Sequence, residues 1–93
     1  MDELEVLHDE GRHRYELVAD GTVVGLAEYR PEGDADVVTH TRIDPSRRGQ
    51  GLGAVLVEGV LADLRARGRR VVPQCWYVAD HVRDRPEHHD LLA

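Results

Sequence analysis

Three glycines at alternate positions, Gly49, Gly51 and Gly53, follow the arginine pair Arg47-Arg48, with Gln50 and Leu52 between them. Backbone without Cβ atoms folds closely around an anion and turns successive N–H groups toward it. A helix starting at that point adds its unsatisfied amides and the positive end of its dipole. The arginines reverse the local sign in a chain whose net charge is −6, which favours an anionic ligand such as phosphate. Two other residues are able to do chemistry. Cys75, the chain's one cysteine, falls at the expected start of the last helix, where backbone dipoles favour thiolate over thiol. His40 offers an imidazole, the side chain best suited to exchange a proton near neutral pH.

Spacing decides between kinds of phosphate loop. GxxxxGK[ST] requires a lysine, and the chain contains none; GxGxxG fails because the glycines fall at 49, 51 and 53. The residues do fit [QR]xxGxG, as Arg48-x-x-Gly51-x-Gly53, and this resembles the acetyl-coenzyme A pyrophosphate loop of the GNAT superfamily of N-acetyltransferases. Val38-Thr39-His40-Thr41-Arg42-Ile43 before the loop and Val72-Pro73-Gln74-Cys75-Trp76-Tyr77-Val78 beyond the helix are similar to the short single-domain branch of that superfamily. Its members carry a His-Thr strand, the glycine loop and a Pro-x-Cys segment leading into a final helix. The resemblance extends over nearly the whole chain. It implies acetyl-coenzyme A as cosubstrate, with the diphosphate on residues 47–53 and the pantetheine bonded to strand backbone around Arg42 and Ile43. Full-length enzymes of the superfamily shape the acceptor site with further N-terminal helices. This chain starts directly with strands, so the acceptor amine, small molecule or protein, stays open.

The elements that position these residues follow from periodicity. Leu4 to His8 and Arg12 to Ala19 alternate as strands, and Asp20-Gly21 is a two-residue hairpin signal into a third strand, Thr22 to Tyr29. Pro31-Glu32-Gly33-Asp34 reads as a turn, and Ala35 to Ile43 as a fourth strand ended by Asp44-Pro45. From Gln50 to Arg67, Leu52, Val55, Leu56, Val60 and Leu64 recur at helical spacing, with Gly68 as the C-terminal cap. Arg70 to Cys75 is a fifth strand, and Trp76 to Asp84 a second helix stopped by Pro86. The tail from Glu87 to Ala93 has length for one more turn. The prediction is an α+β domain over residues 1–93: an antiparallel meander, a strand-helix-strand crossover and a C-terminal helix around a mixed sheet, as in the GNAT fold.

In such a crossover the fourth strand's exit, the helix start and the fifth strand's exit share one edge of the sheet. Pro73 cannot donate to a neighbouring strand, so the fifth strand is expected at the sheet's edge or parting from the fourth, which opens a wedge. The glycine loop and Cys75 then meet there, with His40 facing Cys75 from the fourth strand as base or hydrogen-bond partner. Two mechanisms fit: direct attack of the amine on the thioester, the usual GNAT route, or prior acetylation of Cys75.

Composition removes other classes. Ninety-three residues make one domain, with 41% hydrophobic and 32% charged residues, ordinary for a soluble protein. No window approaches transmembrane length, and Met1-Asp2-Glu3 lacks the start of a signal peptide. A single cysteine fits a reducing compartment, so a cytoplasmic protein is expected, and the arginine-only basic complement suggests a GC-rich bacterial source. A pI near 5.4 argues against nucleic acid. The oligomeric state is open.

Each chemical reading has a plain structural alternative. The loop alone could be a tight turn and cap, Cys75 a small buried hydrophobe, and His40 a satisfied sheet histidine. Trp76 and Tyr77 read as packing, with Tyr77 a lesser candidate as proton donor to the departing thiolate. His88-His89-Asp90 has no partner cluster at ligand spacing, so a solvated tail and no metal are expected. Asp80, Arg83, Asp84 and Arg85 form the exposed face of the last helix. On this reading the chain is an acetyl-coenzyme A-dependent N-acetyltransferase, against the alternative of a coenzyme A-binding or interaction module without turnover.

Overall fold

Alternating strand patterns and one long apolar-periodic stretch assemble as the sequence predicts, into an α+β architecture. A computed structural model describes residues 3–93. Strands β1 (Leu4–Asp9), β2 (Arg14–Ala19), β3 (Thr22–Glu32) and β4 (Ala35–Ile43) form an antiparallel meander, and β5 (Arg70–Pro73) adds parallel to β4 at the edge. Helix α1 (Leu52–Ala66) links β4 to β5 and contacts all five strands. Helix α2 (Trp76–Arg83) and a 3₁₀ segment, Pro86–Leu91, follow. Among the described residues no helix is long and apolar enough to cross a membrane.

Several boundaries differ from expectation, each for a local reason. β2 begins at Arg14, because the Asp9 carboxylate accepts the Arg12 N–H and winds Glu10–Arg12 into a 3₁₀ turn. β3 runs through Pro31 to Glu32. Tyr29 N donates to His13 O, just before β2; pairing with β2 ends at Glu28, so the missing N–H of Pro31 faces a side where no strand lies among the described residues. α1 starts at Leu52, since Gly51 is left-handed at φ 74°. β5 stops at Pro73, and Gln74 and Cys75 already lead into α2. As expected, Asp20 and Gly21 both take positive φ in the tight β2–β3 turn.

The core lies between α1 and the sheet. Leu56, Val57, Val60, Leu61 and Leu64 of α1 pack against Tyr15 and Leu17 of β2, Val38 of β4 and Val71 of β5. Beyond Gly68 the chain reverses with the paired cap bonds Gly68 N to Arg65 O and Arg69 N to Leu64 O. A polar network fastens this end of α1. Tyr15 Oη donates to Asp63 Oδ2 at 2.6 Å and accepts from Arg67 Nη2 at 2.8 Å, while Arg67 and Arg69 both pair with the buried carboxylate of Asp36. One end being anchored, the N-terminus of α1 is held where β4 ends.

The tail is not the solvated segment expected. Leu91 is buried, Ala93 N donates to Val71 O, Asp90 pairs with Arg65, and His88 turns inward to Glu58.

Candidate active site

Pairing between β4 and β5 ends at Val38 and Pro73. Cys75 N still donates to Val38 O at 2.9 Å, but β4 continues to Ile43 with no strand paired on that side among the described residues. The strands part at the proline, and a cleft of about 330 Å³ opens between the end of β4, the start of α1 and the start of α2. Thr41, Arg42 and Ile43 form one wall, Cys75, Trp76 and Tyr77 the other, with Leu52 and Leu56 as an apolar floor and Arg47, Arg48 and Gly49 at the mouth.

The mouth is built from backbone. Asp44 Oδ1 accepts from Ser46 N and Oγ, both at 2.9 Å, setting the 3₁₀ turn Pro45–Arg47. Gly51 then caps α1 in a left-handed conformation and brings no side chain to its amides. The first intrahelical bond is Val55 N to Gly51 O. The N–H groups of Gly51, Leu52, Gly53 and Ala54 therefore have no acceptor among the described residues and form a donor row at the positive end of the dipole. Gly53 is required for a second reason: a Cβ there would come within 2.8 Å of Tyr77 Cζ. Gln50 is exposed and outside the cleft lining, its side-chain oxygen accepting from Arg47 Nε at 3.2 Å.

On the opposite wall, Cys75 is the N-cap residue of α2 and half-buried. Burial pushes its thiol up, but Thr41 Oγ1 at 3.5 Å and the amides of Val78, Tyr77 and Thr41 outweigh that, so its pKa is lowered. Trp76, expected to pack, is instead 72% exposed at the rim, its ring edge-on to Tyr77.

His40 is not brought to Cys75. Glu28 pairs with His40 and Tyr29 with Val38, which leaves Thr39 as an extra residue in β4. This bulge reverses the alternation of faces beyond it. Thr41 and Ile43 thus share the inward side with Val38, while His40 is exposed, outside the cleft lining, with Nδ1 3.0 Å from Thr39 Oγ1. Backbone direction shifts likewise. Asp44 N donates to Val24 O on β3, so by alternation Arg42 also pairs toward β3, and Thr41 and Ile43 turn their peptide groups to the cleft. Thr41 and Tyr77 are the residues that sequence reasoning undervalued; the contact between Gly53 and Tyr77 joins separate helices and carries no local sequence signal.

The family model of the GCN5-related N-acetyl-transferases matches residues 14–91. The chain belongs to that family. A GCN5-like protein from Staphylococcus aureus, solved by NMR, has the same fold at TM-score 0.73 and 18% identity, over 100% of this chain and 91% of its own. The ribosomal-protein-S18-alanine N-acetyltransferase of Escherichia coli superposes with TM-score 0.60 at 25% identity over 69% of this chain, which spans only 42% of that enzyme. N-acetylglutamate synthase from Neisseria gonorrhoeae, solved with coenzyme A and N-acetyl-glutamate, gives TM-score 0.56 at 19% identity, over 71% of this chain and 18% of its own. A search of the curated proteins finds no match. Membership of the GCN5-related family makes this an acyltransferase fold, with its cleft where β4 and β5 diverge.

Proposed function

We propose that this GCN5-related protein holds acetyl-coenzyme A in the β4–α2 cleft and promotes transfer of the acetyl group to an amine. The observation that carries the reading is the donor row of Gly51, Leu52, Gly53 and Ala54 at the cleft mouth. Amides without acceptors at a helix N-terminus suit a diphosphate, and Arg47 and Arg48 add charge beside them. Thr41 and Ile43 offer peptide groups on an open strand edge, to which a pantetheine amide can bond as a further strand would. Leu52 and Leu56 give its methylenes an apolar floor.

At the inner end, the amine nitrogen attacks the thioester carbonyl, the carbon–sulfur bond breaks, and one proton must leave the nitrogen while sulfur gains one. Cys75 is suited to accept the amine's proton, because its thiolate is favoured. Tyr77 Oη, which has no hydrogen-bond partner among the described residues, is suited to give one to the departing sulfur. A second reading rests on the same thiol: a half-buried sulfur with a lowered pKa on the cleft wall is also a nucleophile. In that version acetyl passes to Cys75 Sγ first and to the amine afterwards. The single unpaired cysteine also fits a bacterial cytoplasmic protein.

Thermal melting with and without acetyl-coenzyme A tests the reading. Saturation at a hundredfold excess over Kd adds about 2.7 kcal/mol, and the rise should vanish in Gly51→Val with the far-ultraviolet spectrum retained. No rise at millimolar ligand contradicts it. Intact mass separates the mechanisms: an acetyl adduct absent in Cys75→Ala supports the two-step route, and an unmodified wild-type chain rejects it. Screening amines, polyamines and proteins as acceptors then identifies the substrate class.

A further inference from the structure

Away from the cleft, side chains from three separate elements meet at one point: Glu58 on α1, His81 on α2 and His88 on the Pro86–Leu91 segment. His81 Nε2 lies 2.5 Å and His88 Nε2 2.8 Å from the same oxygen, Glu58 Oε2. The three possible ligand atoms all fall within 4.8 Å of one another. The two imidazoles stack at a centroid distance of 6.2 Å and 22° between planes. His81 is only 6% exposed, whereas Glu58 is open to solvent on one side, so the point is preformed and reachable.

Two imidazole nitrogens and one carboxylate oxygen aimed at a common centre are a familiar donor set for zinc. We propose that Glu58, His81 and His88 bind one Zn²⁺, with water in the fourth position. Tetrahedral coordination at 2.0–2.2 Å spaces neighbouring ligand atoms about 3.3 Å apart. The observed 2.5 and 2.8 Å separations lengthen to this if Glu58 Oε2 withdraws by less than about 1 Å, and the two Nε2 atoms, within 4.8 Å of each other, come to the same spacing by rotation of the imidazole side chains. Binding uses the Nε2 lone pairs, so each ring keeps its proton on Nδ1, and any proton on Nε2 is released to solvent. Two nitrogen donors select against Mg²⁺ and Ca²⁺, which prefer all-oxygen shells.

The ion would tie α2 and the C-terminal segment to α1. α2 begins with Cys75, Trp76 and Tyr77, so the tie lies on the element that carries one wall of the cleft. The site itself does not depend on the acetyltransferase reading, and its test does not use activity.

Tag-free chain stripped with EDTA is titrated with ZnCl₂ by calorimetry, and melting is followed in parallel. One equivalent should bind and raise the melting temperature, while Mg²⁺ leaves it unchanged. Glu58→Gln and His88→Gln should each weaken binding by at least about tenfold, a loss seen even for outer-shell partners, and Cys75→Ala should leave it intact. His81 is left unchanged because it is buried; Glu58 and His88 are partly open to solvent, so their replacement removes a ligand without opening the core. Absence of saturable binding, binding unaffected by His88→Gln, or binding lost in Cys75→Ala would each overturn the proposal.

Discussion

Thr41 Oγ1 and Cys75 Sγ face each other at 3.5 Å across the cleft, joining residues 34 positions apart in the chain. A hydroxyl donor at that position stabilises thiolate. Alkylation of Cys75 by iodoacetamide should therefore show a pH midpoint below the roughly 8.5 of a free cysteine, and Thr41→Val should move it upward. A midpoint that does not respond to Thr41→Val would remove Thr41 from the account of this thiol.

Gly53 and Tyr77 are a matched pair, since any Cβ at position 53 intrudes on the phenol ring. Gly53→Ala should cost about 1–3 kcal/mol in urea unfolding, the usual cost of overpacking. Combining it with Tyr77→Ala should recover much of that loss beyond additivity. Simple additivity in the double variant would mean that the two residues do not touch.

How far the cleft was legible in the sequence depended on range. Pro73 and the glycine loop announced it because their effects are local: a missing N–H ends a ladder, and left-handed backbone starts a helix without a side-chain cap. The apolar spacing of Leu56, Val60 and Leu64 likewise fixed the buried face of α1. His40, expected to face Cys75 from the fourth strand, is turned away by the bulge at Thr39, and nothing in Thr39 itself announces one. His88 was read as having no partners, and Glu58 and His81 were passed over, for another reason. His81 and His88 lie 23 and 30 positions from Glu58, and only the docking of α2 and the tail on α1 brings the three together.

Because the bulge at Thr39 turns His40 away from Cys75, His40→Ala should keep most of the acetyl transfer seen with any acceptor. A general base contributes about 10²–10⁴-fold; a loss of that size would restore His40 to the chemistry. Steady-state rates of the variant beside wild type decide it.

Alkaline stability has a defined sign. Burial, with the Asp63 carboxylate beside it, pushes the Tyr15 hydroxyl well above its ordinary pKa of 10.0. The neutral phenol is favoured in the folded state, so this stabilisation is complete below about pH 10 and is lost as pH rises past the unfolded value toward the folded one. Urea midpoints should fall across roughly pH 10 to 12. Tyr15→Phe should begin less stable at pH 7, by about 1–3 kcal/mol for the two hydrogen bonds lost to Asp63 and Arg67, and decline less steeply. Equal slopes for the two proteins would exclude Tyr15 as the group responsible.

The amides of Gly51, Leu52, Gly53 and Ala54 are proposed to receive a diphosphate. Titration of ¹⁵N-labelled protein with acetyl-coenzyme A tests it most directly. These four amide resonances should move first and furthest and saturate with one ligand per chain, with Thr41 and Ile43 following on β4. Saturable binding that leaves the four amides unmoved, or no binding at all, would contradict it.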